Sequence, residues 1–248
     1  MDWFSSHGGA HAQPQRGQVP AEPVPPVPAR TTARPASATG QHAHIRIADD
    51  LFLISHRDWD GKPLLPDRVL GLALAGAALC ELAMLGRVTV GDGILIVVSD
   101  ADPAEELAQS LLRQLLSQPE PLPLRDWLAY LASGVTAAVG DRLARAGAVE
   151  VRKGLRGKRL VPVDSSDAFF KAGRLAVMLD SGSQFNPAQA ALIGLVNAVG
   201  LIERLPCVNP AAIRARASVI MQSLECPLDG LIAETTAVVD NAILTGRT

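Results

Sequence analysis

Across residues 69–85 every position but Glu81 is apolar or small, and this run constrains the fold more than any other feature. It approaches a membrane span in length, yet falls short of the roughly 20 residues that a bilayer core requires. Alanine and glycine crowd it and a carboxylate interrupts it, so it reads as a helix buried in a protein core, stopped by Gly86 at the C′ position. A helix that is apolar all round needs a shell of other elements. The chain has 248 residues, 48% of them hydrophobic and 19% charged, enough for that shell in one large domain or two small ones.

Residues 1–44 have the opposite character. Pro, Ala, Gln, Gly and His dominate, and Pro23, Pro25, Pro26 and Pro28 are bunched together. Such a segment buries too little apolar surface to offset the entropy of ordering it, so a disordered arm is expected ahead of a single compact domain at 45–248. Its opening, Met1-Asp2-Trp3-Phe4, lacks the basic and apolar regions of a signal peptide. Trp3 and Phe4 read first as an incidental N-terminus and, as the alternative, as a small docking element through which the arm would engage a protein partner.

The domain reads as mainly helical with short β-hairpins. Residues 47–54 suit a helical turn or a short strand, leading into a polar, turn-rich loop at 56–63. After the apolar helix, Val88 and Val90 alternate with polar neighbours, Gly91-Asp92-Gly93 turns the chain, and residues 94–98 return as a hairpin. Asp102-Pro103-Ala104-Glu105 has the form of a helix start, with a capping Asp and Pro at N1. A proline-rich link at 119–123 precedes a helix from Leu124 and another ending near Ala146. Val149 and Val151 then lead to the turn Gly154-Leu155-Arg156-Gly157, with Leu160, Val161 and Val163 coming back. Asn186-Pro187 and Asn209-Pro210 each pair an Asn cap with Pro at N1, and Pro227 opens a final helix. Leu192, Leu195, Val196 and Val199 form one core stripe; Val219 and Leu224 are assigned to the next.

Two stretches share a pattern. Leu82-Ala83-x-x-Gly86-x-Val88-x-Val90 is matched by Leu143-Ala144-x-x-Gly147-x-Val149-x-Val151. A repeated helix–glycine–hairpin unit accounts for this, and so does convergence on a common supersecondary grammar.

The residues that carry catalysis are scarce. No glycine-rich phosphate loop precedes a helix, and no G-x-S-x-G elbow is present. Glu105-Glu106 suits a helix N-terminus, where the dipole favours acids. Asp49-Asp50 has no histidine or metal partner in sequence. Cys80, Cys207 and Cys226 stand at no metal-ligand spacing and read as reduced, buried thiols of a cytoplasmic protein. His42 and His44 lack a third ligand nearby, and His7 and His11 belong to the arm. The expectation is a non-enzyme without metal or cofactor.

Lysine plus arginine is 23 against 25 for aspartate plus glutamate, a net charge of -2, so no global field draws the molecule to an anionic partner. A local one does. Arg152, Lys153, Arg156, Lys158 and Arg159 crowd the second hairpin with no acid between them, and Leu155 at the turn is placed to enter lipid. A solvated hairpin whose charges protect its edge explains the same residues.

The opening Ile47-Ala48-Asp49-Asp50-Leu51-Phe52-Leu53, the block from Leu74 through Glu81-Leu82-Ala83-Met84-Leu85-Gly86-Arg87-Val88, Arg142-Leu143 through Gly147-Ala148-Val149, and Ala190-Ala191-Leu192-Ile193-Gly194-Leu195 resemble the Golgi phosphoprotein 3 family in its bacterial, actinobacterial-type branch. The resemblance covers about 45–248. It implies one mostly helical domain on the cytoplasmic face of a membrane, the Golgi in eukaryotic members, which read phosphatidylinositol 4-phosphate and present an amphipathic hairpin to lipid. That hairpin corresponds to residues 149–163. The family's pocket tryptophan falls near Pro66, its first arginine on Ala75, and its arginine pair at about Ser133 and Thr136. None of these supplies a charge-assisted hydrogen bond to phosphate. Trp59, Arg68, Arg142 and Arg145 are the nearby candidates to replace them.

The leading expectation is therefore a peripheral, non-catalytic adaptor that binds anionic phospholipid headgroups. The alternative is a winged-helix nucleic-acid binder, disfavoured because residues 135–142 offer few base-reading side chains.

Overall fold

The computed structural model describes residues 46–154, 157–163, 165–182, 184–206 and 209–246; at 153, 154, 157, 158 and 165–170 it describes the backbone alone. The arm, the hairpin-tip residues Leu155 and Arg156, and Cys207 lie outside the described residues. The described residues form eight α-helices and two antiparallel hairpins: α1 (Ile47–Ile54), α2 (Asp67–Met84), β1 (Val88–Gly91), β2 (Ile94–Val97), α3 (Glu106–Leu116), α4 (Leu124–Arg145), β3 (Val149–Gly154), β4 (Gly157–Pro162), α5 (Ser165–Asp180), α6 (Pro187–Ala198), α7 (Pro210–Gln222) and α8 (Leu228–Thr245). A 3-10 turn, Leu201–Arg204, joins α6 to α7. The class is the mainly helical one expected, built on one contiguous core.

The apolar run is the central helix. In α2 every residue from 69 to 83 is buried, with α1, α4, α6 and α8 packed round it. Its small residues set the packing distance. A Cβ on Gly71 would stand 2.5 Å from the Ala132 carbonyl oxygen of α4, and one on Gly76 would stand 2.4 Å from Thr235 Oγ1 of α8. Neither gap admits a methyl group.

Gly71 faces Ala132, and ten residues on Glu81 pairs with Arg142, 61 positions away in sequence. Helices α2 and α4 therefore run side by side in the same direction and in register. The same 61-residue offset relates the two sequence patterns, and the ends of the helices match bond for bond. Gly86 N–H donates to Ala83 O at 2.9 Å and Arg87 N–H to Leu82 O at 3.0 Å; Gly147 N–H donates to Ala144 O at 3.0 Å and Ala148 N–H to Leu143 O at 3.0 Å. Both glycines are left-handed, with φ of 67° and 71°, as such a helix cap requires. Each strand pair then closes on its stop, Val98 N–H on Arg87 O at 2.9 Å and Val163 N–H on Ala148 O at 3.0 Å. The repeated unit is real in three dimensions.

Each hairpin reaches the segment that precedes the other helix. Leu95 N–H donates to Leu122 O at 3.2 Å and Leu124 N–H to Gly93 O at 2.8 Å, fixing β2 at the start of α4. In turn β4 lies on the segment before α2, where a Cβ on Gly61 would stand 2.1 Å from Leu160 O. The first hairpin turns through Asp92 and Gly93, both at positive φ (50° and 73°), the two-residue turn that matches strand twist.

Several expectations are corrected. Of the helical turn and the strand left open for residues 47–54, the helix forms; nearly every side chain of α1 is buried, so no face-to-face alternation separates the two in sequence. One helix, α4, replaces the two expected between 124 and 146. Helix α3 begins at Glu106, not beside Asp102: Glu105 is the N-cap and accepts from Ala108 N–H at 2.9 Å. Val219 is 65% exposed, because α7 turns Ile213, Ala217 and Ile220 inward. Cys226 is exposed, whereas Cys80 is buried and its thiol is pushed up by that burial. The Asn caps at 186 and 209 form as expected, accepting from Gln189 N–H at 2.9 Å and Ala212 N–H at 3.1 Å.

Candidate functional site

A cavity of about 710 Å³ opens between the C-terminal end of α1, the loop at 61–63, the first turn of α2, the middle of α4 and strand β4. The second hairpin forms one wall because Gly61 and Gly140 let it close in. The Cβ that Gly140 lacks would stand 2.3 Å from Leu160 Cδ1. Strand β4 is thereby laid against α4, and Arg159 and Leu160 line the cavity.

The helices that line the cavity are joined by a buried ion cluster whose members do not line it themselves. Arg142 of α4, 4% exposed, donates from Nε to Asp49 Oδ1 at 2.7 Å, from Nη1 to Glu81 Oε2 at 3.0 Å and from Nη2 to Glu81 Oε1 at 3.3 Å. Nη1 also reaches Glu105 Oε2 at 3.3 Å. Glu81 Oε1 accepts in addition from Ala48 N–H at 2.8 Å. Burial pushes the Asp49 and Glu81 carboxyls up from their ordinary values, opposed by Arg142. Burial also opposes the charge on Arg142, but Glu81 first, then Asp49 and Glu105, hold it above its ordinary range. The cluster clamps α1, α2, α4 and the start of α3 together. Asp50, the other acid of the opening pair, bonds Lys171 Nζ at 2.5 Å. Both acids are thus engaged in ion pairs.

With α1 fixed, Phe52 and His56 are set at the cavity. Their rings stack, centroids 4.0 Å apart, and His56 Nδ1 lies 2.6 Å from Phe52 O. A carbonyl only accepts, so Nδ1 carries a proton. Burial lowers the His56 pKa from its ordinary value, against the Phe52 hydrogen bond and the charge of Asp67. Burial thus disfavours the charged imidazole.

Among the described residues two cationic side chains line the cavity, Arg68 from α2 and Arg159 from β4. Among the described residues neither makes an ion pair or a side-chain hydrogen bond. Ser133 and Thr136 supply hydroxyls and Asp67 one carboxylate. Ser133 Oγ donates to Tyr130 O at 2.9 Å.

The sequence candidates are distributed as follows. Arg159 lines the cavity and lies opposite Arg152 in the β3–β4 register, and Lys153 lies opposite Lys158. Like charges directly across a strand pair repel, a cost that a bound anion relieves. Exposed Arg152 is partly answered by Glu150, 3.3 Å away. Leu155 and Arg156, and the side chains of Lys153 and Lys158, lie outside the described residues. Of the four proposed replacements, only Arg68 reaches the cavity. Arg142 is committed to the buried cluster, Arg145 pairs with Glu106, and Trp59, 68% exposed, sits under the Arg57 guanidinium at 5.2 Å. Ser133 and Thr136 do face the cavity, whereas Ala75 is fully buried.

Sequence reading left His56 in a loop and gave Glu81 no role. A signal existed for each: His56 stands four residues after Phe52, one helical turn, and Glu81 occupies the same place in the first unit as Arg142 in the second. Among the described residues no group of three or more His, Cys, Asp or Glu is arranged to hold a metal, and no helix is long and apolar enough to cross a membrane.

Among curated proteins none matches the chain significantly. The model of the Golgi phosphoprotein 3 (GPP34) family matches residues 47–229, from the first residue of α1 into α8, a span that contains both helix–hairpin units, the buried cluster and the cavity. The chain belongs to the Golgi phosphoprotein 3 family.

Proposed function

We propose that this protein is a peripheral, non-catalytic adaptor that binds anionic lipid headgroups of the phosphatidylinositol 4-phosphate type on the cytoplasmic face of a membrane. The observation that carries this reading is the pair of guanidiniums, Arg68 and Arg159, unpaired among the described residues and lining one cavity at the root of a basic hairpin. Arg152, Lys153, Arg156, Lys158 and Arg159 supply the field that attracts an anionic surface, about 1 kcal/mol for each cation close to it. Leu155 at the turn adds an apolar contact with lipid. The non-catalytic part of the reading rests on the engagement of the polar groups. His56 Nδ1 is bonded to Phe52 O, Ser133 Oγ to Tyr130 O, and Asp49 to Arg142. The arm at 1–44 leaves a route to a protein partner.

Co-sedimentation with liposomes tests the reading. Neutral phosphatidylcholine vesicles are expected to leave the protein in solution. Vesicles carrying phosphatidylglycerol or phosphatidylinositol 4-phosphate are expected to bind it at low salt and release it at high salt, as screening requires. Changing Arg152, Lys153, Arg156, Lys158 and Arg159 together to Gln is expected to abolish binding. Undiminished binding by that variant overturns the hairpin's role, and a DNA mobility shift without vesicle binding moves the protein to the winged-helix class.

A further inference from the structure

Beside the basic hairpin the chain makes a second, smaller projection. Residues 56–63 fold back on themselves. Arg57 N–H donates to Lys62 O at 2.9 Å, Gly61 N–H donates to Arg57 O at 3.0 Å, and His56 and Pro63 form an antiparallel bridge. Leu64 N–H then ties the returning limb to Ser55 O at 2.8 Å. Side chains lock the turn from outside. Asp60 accepts from Arg57 Nε at 3.0 Å, from Arg57 Nη2 at 2.5 Å and from Lys62 N–H at 3.0 Å. Gly61 is left-handed, with φ of 62°, and its missing Cβ lets the turn sit directly on the Leu160 backbone of β4. The turn is thus braced on one strand of the basic hairpin.

At the head of this turn stands Trp59, the most exposed large apolar side chain among the described residues. Its ring lies under the Arg57 guanidinium, a cation–π contact that contributes little at an exposed site. The turn is balanced in charge, Arg57 and Lys62 against Asp58 and Asp60, so it neither draws nor repels an anionic surface strongly. What it offers is amphipathic. An indole has a large apolar body and one N–H donor, and it settles where the headgroups of a bilayer meet the acyl chains. The turn is already closed by its own hydrogen bonds, so contact orders little that was free. A Trp beside an Arg also suits a protein partner, but the cations of the strand on which the turn is braced favour an anionic bilayer. Given the membrane target proposed above, we propose that Trp59 is an interfacial anchor. It enters the headgroup–acyl boundary beside the hairpin and holds the protein there once the hairpin's charges have brought it to the surface.

The test uses the full chain with mixed phosphatidylcholine–phosphatidylglycerol vesicles whose acyl chains are brominated to quench indole emission. In a Trp3→Phe background the emission comes from Trp59 and from Trp127, which is 6% exposed and serves as the unquenched reference. Addition of vesicles is expected to shift the emission to the blue and to quench it, and both changes are expected to vanish when Trp59→Phe is added. Trp59→Ala is expected to weaken vesicle binding about tenfold, the order that partial burial of an indole supplies. That factor is expected to be the same at every salt concentration, whereas loss of the hairpin cations changes the salt dependence itself. Trp59→Phe is expected to keep part of the affinity. A vesicle-bound protein whose Trp59 emission is unchanged overturns the anchor and leaves the membrane reading standing, as does undiminished binding by Trp59→Ala. Weaker binding by Trp59→Ala without quenching in the Trp3→Phe protein also overturns the anchor. No binding of the unaltered protein to any vesicle overturns the membrane reading and the anchor together.

Discussion

The two helix–hairpin units of this protein share a backbone grammar and differ in what they put on it. Helix α2 carries Asp67 and Arg68 in its first turn and Glu81 near its end, hairpin β1–β2 adds only Asp92 with Arg87 beside it, and Ile94, Ile96 and Val98 stand exposed along and just beyond β2. Helix α4 and hairpin β3–β4 carry Arg142 at the place of Glu81, and cations along both strands. Where the units meet, the difference becomes a contact: Glu81 and Arg142 occupy equivalent positions on parallel helices and bond to each other in the core. Where they face outward, it divides labour. The first hairpin closes on the start of α4, and no cation among the described residues lines the cavity along β2. The second is longer, overlies α4, and encloses the space that Arg68 and Arg159 line. One backbone device thus makes a structural joint on one side and a candidate binding site on the other.

The comparison breaks most severely at the shared contact. Arg142→Met removes the cation shared by three carboxylates, two of them buried, and leaves Arg46 beside Asp49 alone; it is expected to lower stability by about 3–5 kcal/mol, because breaking a buried pair leaves charge uncompensated. Adding Glu81→Gln and Asp49→Asn to that variant is expected to restore part of the loss. Chemical denaturation of the three proteins checks this, and equal stability of Arg142→Met and the parent sinks the account of the cluster.

A smaller effect is expected from the helix pair itself. Gly71→Ala forces a methyl group against the Ala132 backbone and is expected to cost about 1–3 kcal/mol by overpacking. A neutral Gly71→Ala variant in thermal unfolding contradicts the close parallel approach of α2 and α4.

The smallest effect sharpens the contrast at the cavity. Below its ordinary value of 6.5 the unfolded His56 gains a proton before the folded one, whose pKa is lowered. The folded state then binds fewer protons, so stability falls as pH drops through 6.5 toward the lowered value. Urea midpoints at pH 7.5 and 5.5 are expected to show this decline, and His56→Gln to flatten it. An identical slope in the variant shows that the imidazole is not held neutral by the fold.

Elements whose signals are local are legible along the chain. Gly86 and Gly147 stop helices because a left-handed residue caps them with little strain. Asn186 and Asn209 start helices because a side-chain oxygen meets an orphan N–H. The 69–85 run is central because apolar surface on all sides needs cover, and the basic residues at 152–159 mark the second hairpin. Where the local signal was absent, the reading strayed. Helix α1 is buried on nearly every side and shows no periodicity, and Glu105 displaced Asp102 as a cap while also reaching Arg142. Val219 could not be placed until the rotation of α7 was known.

The roles of the charges emerge from packing. Arg142 and Arg68 look equivalent along the chain, each a cation in a helix. Parallel packing of α2 and α4 turns Arg142 inward among Asp49, Glu81 and Glu105, while Arg68, at the first turn of α2, is left at the mouth of a cavity with no ion-pair partner among the described residues. A charge takes its role from its surroundings, because Coulomb energy and desolvation depend on distance and burial. Sequence spacing carries neither until the chain is folded.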